Sequence, residues 1–369
     1  MMLCIVANTY AQHLVSDLDS LIAGYPSNTL DTTKNPDFTT FSGVVLIAKK
    51  DEVVFKKAFG KANLPWKVDN TMGTKFLIGS VTKTFTSLLT LQLVQDGKLA
   101  LDDKLVDFIP LSLAGAQEVT IHHLLSHTSG LPQYGDLTDS EDWINDIWRR
   151  TYASDEVTSL LVQYINESEM VTEAGTEFQY NSLGYVLLGL VLEKASGSLF
   201  GELLDDKICH PLALENTGFV PNSVVLDQFA NSYRSRMDTL AHTMVFTNAD
   251  YRDRTFEYAS GGIYSTVDDL YKYVKAVTDD TLLNEQYTAL LFKANRASYA
   301  YGWWIKDPRY LRYGPAINIV SHSGAAEAYR ANVAIVDEGD IIVIILSNVA
   351  PLATRKLTYD IIQRLQRTE

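Results

Sequence analysis

Four residues near the start of the chain place a nucleophile beside a base: Ser80-Val81-Thr82-Lys83. They follow Phe76-Leu77-Ile78-Gly79 and open a segment, Thr84 to Gln95, with apolar residues at Phe85, Leu88, Leu89, Leu91, Leu93 and Val94. That spacing, with Gly97 where a C-cap would sit, predicts a largely buried helix. At positions i and i+3 of a helix two side chains share a face, so the Lys83 amine can reach the Ser80 hydroxyl. A serine hydroxyl is a poor nucleophile until a partner takes its proton, and a lysine takes it once burial or cationic neighbours depress its pKa. Free N–H groups at the helix start would stabilise the oxyanion formed when Ser80 attacks a carbonyl. The chemistry on offer is acyl transfer through a covalent acyl-enzyme.

Ser-x-x-Lys also arises from ordinary capped helices, so other motifs must decide its meaning. Gly-x-Ser-x-Gly, Gly-x-Gly-x-x-Gly, a phosphate-loop Gly-Lys-Ser/Thr and His-Glu-x-x-His are all absent, which removes the warrant for nucleotide and zincin readings. Present instead are Phe178-Gln179-Tyr180-Asn181-Ser182-Leu183-Gly184-Tyr185, the triplet His322-Ser323-Gly324, the long run Thr120-Ile121-His122-His123-Leu124-Leu125-Ser126-His127-Thr128-Ser129-Gly130-Leu131-Pro132, and Gly261-Gly262-Ile263-Tyr264-Ser265-Thr266 before Asp268-Asp269-Leu270. With these motifs the chain resembles the serine β-lactamase and penicillin-binding-protein superfamily, and within it the class C β-lactamase-like branch with its D-alanyl-D-alanine carboxypeptidase, D-amino-acid peptidase and carboxylesterase relatives. The likeness runs from about Ser42 to Asn348.

The resemblance implies roles. Ser80 is the nucleophile, and Lys83 and Tyr180 share the proton work, with either as base. The N–H groups of Ser80 and Ala325 form the oxyanion hole beside Gly324. His322 supplies electrostatics, and Ser323 bonds a substrate carboxylate or carbonyl. Two departures bear on substrate. Ser182 stands where the family often has Asn, so a hydroxyl replaces an amide that helps hold a β-lactam or peptide carbonyl. After the third motif the chain reads Ala325-Ala326-Glu327-Ala328-Tyr329-Arg330, in place of a Gly-aromatic pair, and acidic Glu327 disfavours anionic substrates.

Elements that could carry these residues follow from patterning. Gly43 to Ala48, a turn at Lys49 to Glu52, and Val53 to Phe55 predict a hairpin. Ala300 to Lys306, Asn332 to Asp337 and Ile341 to Ser347 read as strands, the last two joined at Glu338-Gly339-Asp340. Between about residues 100 and 250 the periodicity is helical, as in Val157 to Ile165 and Ser182 to Lys194. Strands thus cluster at both chain ends, where each hairpin alone is marginal. The expected fold class is α/β of the α+β type, β-lactamase/transpeptidase-like: one antiparallel sheet built from both ends and flanked by helices, one of them Leu357 to Leu365, with an inserted mainly helical domain. The expected boundaries are 13–76 with 257–369 for the sheet domain, 77–256 for the helical domain, and 1–12 as a possible signal-peptide remnant.

The 369 residues include 31 Lys and Arg and 45 Asp and Glu, for a net charge of −14, with 46% apolar and 21% charged residues. That composition supports a large core, and its sign argues against nucleic acid as partner. The longest apolar runs fall short of a membrane span. Met1 to Ala7 followed by Asn8-Thr9-Tyr10-Ala11-Gln12 reads either as the tail of a secretory signal, which would make the protein periplasmic or secreted, or as ordinary structure in a cytoplasmic one. Cys4 and Cys209 exclude a disulfide scaffold. His122, His123 and His127 contain an i, i+4 pair, but no acidic or Cys ligand stands beside them in sequence, and no metal or other cofactor is expected. Tyr299, Tyr301, Trp303 and Trp304 read as core and sheet surface, whereas Tyr134, Trp143, Trp148 and Tyr152 are candidates for an acyl-pocket wall. The expected function is a serine hydrolase acting on a small ester, amide or peptide, as an esterase or D-amino-acid-type peptidase. The alternatives are a β-lactamase or penicillin-binding DD-peptidase and, from another class, a catalytically silent binding or assembly protein.

Overall fold

A computed structural model describes residues 2–25, 41–133, 151–219, 221, 223–238, 240, 243–250 and 252–367. Strands β1 (Gly43–Lys49) and β2 (Glu52–Phe59) form the predicted hairpin; β3 (Lys61–Asn63) and β4 (Val68–Asp69) form a small second one, and β5 (Phe76–Leu77) leads to the Ser80 turn. Further along come β6 (Tyr233–Asp238), β7 (Thr243–Asn248), β8 (Tyr264–Ser265), β9 (Ile319–Ala326), β10 (Tyr329–Val336), β11 (Ile341–Ser347) and β12 (Val349–Ala350). The main sheet has the order β2-β1-β11-β10-β9, antiparallel throughout, so segments from the two ends of the chain do meet in one sheet. The junction is β1 against β11, with Val44 opposite Leu346 and Ile47 opposite Val343.

The apolar runs of β1 and β11 are continuous because both faces of the sheet are covered. Val44, Leu46, Ile342, Ile344 and Leu346 face the larger core shared with the helical part. Val45, Ile47, Ile341, Val343 and Ile345 face a second core closed by helix α1 (Met2–Ala23) and the C-terminal helix, through Leu18, Ile22, Leu357, Ile361 and Leu365. Helix α1 crosses residue 12 without a break, and Arg364 pairs with Asp17 between the two helices at the solvent-facing edge of this core.

The helical part is built on α2 (Thr82–Gln95), α3 (Ile121–Leu125), α4 (Ser154–Asn166) and α5 (Ser182–Ser196), followed by α6 (Tyr258–Gly261), α7 (Val267–Thr278) and, covering the far face of the sheet, α8 (Thr354–Gln366). Helix α2 is buried nearly all round although it carries Thr82, Thr84, Thr86, Ser87 and Thr90. The burial is tolerable because the hydroxyls find acceptors: Thr84 Oγ1 donates to the Val81 carbonyl (2.8 Å), Thr86 to that of Ala259 (2.6 Å) and Thr90 to that of Thr86 (2.8 Å). Among the described residues no single helix is long and apolar enough to cross a membrane.

One predicted strand does not form. Ala300 to Lys306 makes only isolated bridges, Tyr299 with Trp304 and Trp304 with Ser321 at the edge of β9. The chain turns at Gly302, whose φ of +77° lies in the left-handed region and whose Cα is pressed against α2: a β-carbon there would lie 2.8 Å from the Lys83 carbonyl oxygen. Tyr299, Tyr301 and Trp303 are core, as expected. Of the proposed acyl-wall residues, Tyr134, Trp143 and Trp148 lie outside the described residues; Tyr152 is buried, its N–H donating to Thr255 Oγ1 at 2.8 Å.

Candidate active site

Ser80 sits in a 3₁₀ turn, Gly79–Val81, that runs directly into α2, so the predicted i, i+3 pairing with Lys83 holds in space. The Lys83 side chain is buried, with Nζ 3.2 Å from Ser80 Oγ, 3.2 Å from Ser182 Oγ and 2.8 Å from the Ser260 carbonyl oxygen. Burial pushes its pKa down to about 7, opposed only by the negative charge of Glu257. Tyr180, in the loop before α5, completes the group: Lys83 Nζ lies 5.2 Å from its ring centroid, and its hydroxyl lies near enough to Ser80 for the serine to lower its pKa. Its pKa is raised, chiefly by burial, with Ser80 acting in the opposite direction. Burial thus acts on the two groups in opposite senses, favouring the neutral amine of Lys83 and the neutral phenol of Tyr180.

Ser182 begins α5, and its hydroxyl reaches Lys83. The amide of the motif, Asn181, points the other way: Nδ2 donates to the carbonyls of Leu131 (2.9 Å) and Pro132 (3.0 Å), and Oδ1 accepts from Gly184 N (3.3 Å) as the N-cap of α5.

The third motif lies on β9, against the Ser80 turn. Gly79 has φ +51°, and a β-carbon on it would lie 2.6 Å from the Ala325 nitrogen. One on Gly324 would lie 1.8 Å from the Ile78 carbonyl oxygen and 3.1 Å from the Ser80 nitrogen. Two glycines therefore let two backbones meet, which brings the N–H-bearing atoms of Ser80 and Ala325 to one place. Ser323 Oγ accepts from Arg355 of α8 at 2.9 Å.

His322, on β9, is 1% exposed, with Nδ1 2.9 Å from the Ser323 carbonyl oxygen and Nε2 3.3 Å from the Tyr299 hydroxyl. Burial, then the positive charges of Arg309 and Lys83, holds its pKa well below the usual histidine value, so its influence is that of a neutral dipole rather than a cation. The i, i+4 histidine pair does not share a helix, because α3 ends at Leu125; His123 Nδ1 accepts from Thr120 N at the helix start, while His127 turns inward. Among the described residues no group of three or more His, Cys, Asp or Glu side chains could hold a metal ion.

Several site residues have no sequence signal. Ser260 acts on Lys83 through its carbonyl, which any residue would supply. Glu257, half-buried at the entry to α6, has a carboxyl raised by burial and lowered by Lys83 and Arg252. Glu327 follows Ala326 at the tip of the β9–β10 hairpin, with φ +42°. Burial, then the charge of Glu257, pushes its carboxyl up to about 7, and its Oε2 makes no hydrogen bond among the described residues. Arg252, Arg254 and Arg234 act on Glu327, and Arg252 on Glu257, so the charges beside the Ser80 group are mixed.

Comparison with known proteins bears on the family and the fold. Protein flp of Staphylococcus aureus (strain MW2) is 25% identical over 321 residues, covering 82% of this chain and 59% of flp, so the chain spans about six tenths of that relative's length. A penicillin-binding protein from Bacillus halodurans has a crystal structure that superposes with a TM-score of 0.72 at 28% identity, covering 89% of this chain and 96% of that one. The D-amino acid amidase of Ochrobactrum anthropi SV3 shares the fold, with a TM-score of 0.76 at 19% identity over 96% of this chain and all (100%) of that one. The β-lactamase family model matches residues 37–366, nearly the whole described chain, and the chain belongs to that family.

Proposed function

We propose that this protein is a serine hydrolase that forms an acyl-enzyme on Ser80 with a small ester or amide, as an esterase or D-amino-acid-type peptidase. The observation that carries the reading is the buried Lys83 amine, 3.2 Å from Ser80 Oγ, held there by Ser182 and the Ser260 carbonyl. As a free base, Lys83 donates to those two partners and turns its lone pair to the Ser80 hydroxyl. Ser80 Oγ then adds to the substrate carbonyl as Lys83 takes the proton, and the oxyanion sits between the N–H groups of Ser80 and Ala325. Tyr180, a neutral phenol beside Ser80, passes a proton to the leaving alcohol or amine. Water attacks the acyl carbonyl by the reverse proton route and frees Ser80. When ionised, Glu257 and Glu327 favour amine-bearing over carboxylate substrates, a preference that Arg252, Arg254 and Arg234 moderate. The fold is shared with the D-amino acid amidase, which suits that preference.

The test is to mix the protein with p-nitrophenyl butyrate, quench with acid and map the adduct by mass spectrometry. A butyryl group on the peptide containing Ser80 is expected; turnover with no adduct there, or an adduct on another serine, would sink the assignment. A second reading, β-lactamase or penicillin-binding DD-peptidase, is favoured by Ser323 held by Arg355, a hydroxyl and a guanidinium fit for a carboxylate. Rapid deacylation of a β-lactam by the purified protein would move it ahead. The intact Ser80, Lys83 and Tyr180 set speaks against a silent binding protein.

The pH dependence follows from Lys83. Its ammonium form cannot accept a proton, so kcat/KM for the ester should fall as pH drops through about 7, one proton per active site. Glu327 titrates in the same range, and Glu257, Tyr180, His127 and His322 also face the group. Glu327→Gln separates them: the acid limb should persist in that variant, and its disappearance would transfer control from Lys83 to Glu327.

A further inference from the structure

We propose that His127 is the positioning residue for Tyr180, gripping the backbone on both sides of it and packing on its ring. The proposal rests on the reading that Tyr180 handles the Ser80 proton. The His127 carbonyl oxygen accepts from Gln179 N at 2.8 Å, and its Nδ1 accepts from Asn181 N at 3.0 Å. One residue thus holds the amide before Tyr180 with its backbone and the amide after it with its side chain. The imidazole centroid lies 4.3 Å from that of Tyr180, and Tyr299 (4.6 Å) and Tyr185 (5.0 Å) pack on the same ring.

This arrangement constrains the histidine itself. With Nδ1 accepting from a backbone amide, the ring proton of the neutral form must lie on Nε2, which makes no hydrogen bond among the described residues. Protonating Nδ1 would set two donors face to face, so the grip works only while the ring is neutral. Burial, reinforced by the nearby Lys83 and His322, keeps it so. His127 also has φ +56°, a backbone conformation costly for most side chains and borne more easily by His and Asn. It is fixed there by His127 N to the Leu124 carbonyl (3.3 Å) and Thr128 N to that of His123 (2.9 Å).

The phenol cannot do this for itself. The Asn181 side chain anchors one end of this loop, but neither it nor the ring packing of Tyr180 fixes the Gln179 and Asn181 amides themselves, and reacting groups misplaced by about 1 Å lose on the order of 100-fold in rate. Asn at position 127 tolerates positive φ and carries Oδ1 at about the place of Nδ1, so it should keep the grip on Asn181 while losing the ring. Gln carries its acceptor one bond further out and Ala has none.

The experiment compares His127→Ala, His127→Asn, His127→Gln, Tyr180→Phe and the His127→Ala/Tyr180→Phe double variant by steady-state hydrolysis of p-nitrophenyl butyrate. His127→Ala and His127→Gln should lose about 10- to 100-fold in kcat with KM within about two-fold, and His127→Asn should recover to within a few-fold of the parent. In the double variant, removing His127 should cost at most about two-fold beyond Tyr180→Phe alone, because a positioner has nothing left to position. Additive losses in the double variant, or parent kcat in His127→Ala, would overturn the role of His127 while leaving that of Tyr180 intact. A Tyr180→Phe protein as active as the parent would overturn both. Should His127→Ala fail to fold, equal rates for the Asn and Gln variants would overturn the proposal by themselves.

Discussion

Ser80→Ala is expected to lose p-nitrophenyl butyrate hydrolysis by about 10⁴-fold or more, the scale seen when a nucleophile is removed from a group that works as a unit. The loss should come with an intact fold. Ser80 is partly exposed, and its hydroxyl meets Lys83 and Tyr180 rather than bracing the core. Lys83 keeps two of its three partners in the variant, Ser182 and the Ser260 carbonyl, so the buried amine is not stranded. Thermal unfolding of parent and variant side by side should agree to within a few degrees. Activity within about ten-fold of the parent would mean that another group carries the acyl chemistry.

Gly324→Ala should do the second greatest damage, by a different route. The new methyl would lie 1.8 Å from the Ile78 carbonyl oxygen, a backbone atom with no rotamer to escape into. Either β9 or the Ser80 turn must move, and the Ser80 and Ala325 amides separate as it does. We expect kcat to fall by about 10²- to 10³-fold, as when an oxyanion donor is lost, with about 1–3 kcal/mol of stability lost to overpacking. Gly184→Ala is the control. That glycine is helical, and a β-carbon on it would meet Leu124 Cδ2 at 3.5 Å and the Leu124 carbonyl oxygen at 4.0 Å, both ordinary contacts, so activity and melting temperature should hardly change. Parent-like kcat in Gly324→Ala would disprove the two-amide oxyanion hole.

What could be read from the chain beforehand follows a physical division. Ser80 and Lys83 were legible because their geometry is local, one turn of helix, and β1 and β11 because a strand covered on both faces must be apolar throughout. The strand expected over Ala300 to Lys306 failed because alternating aromatics describe burial on a surface, whichever backbone supplies it, while Gly302 turns the chain. The opposite shifts of the Lys83 and Tyr180 pKa values were not legible, since they depend on how deeply each is buried. His127 drew notice for the wrong partner: spacing points to His123, whereas packing places it against residues 179–181.

The contacts that fix Lys83 reach across 99 residues of chain to Ser182 and across 177 to Ser260, and β9 comes from further still. Such long loops must close before the contacts that stabilise them exist, which is slow and costly in chain entropy. Hydrolysis is therefore a report on the entire chain: it returns only when the distant segments have all found one another, and helical content alone, however native, does not announce it.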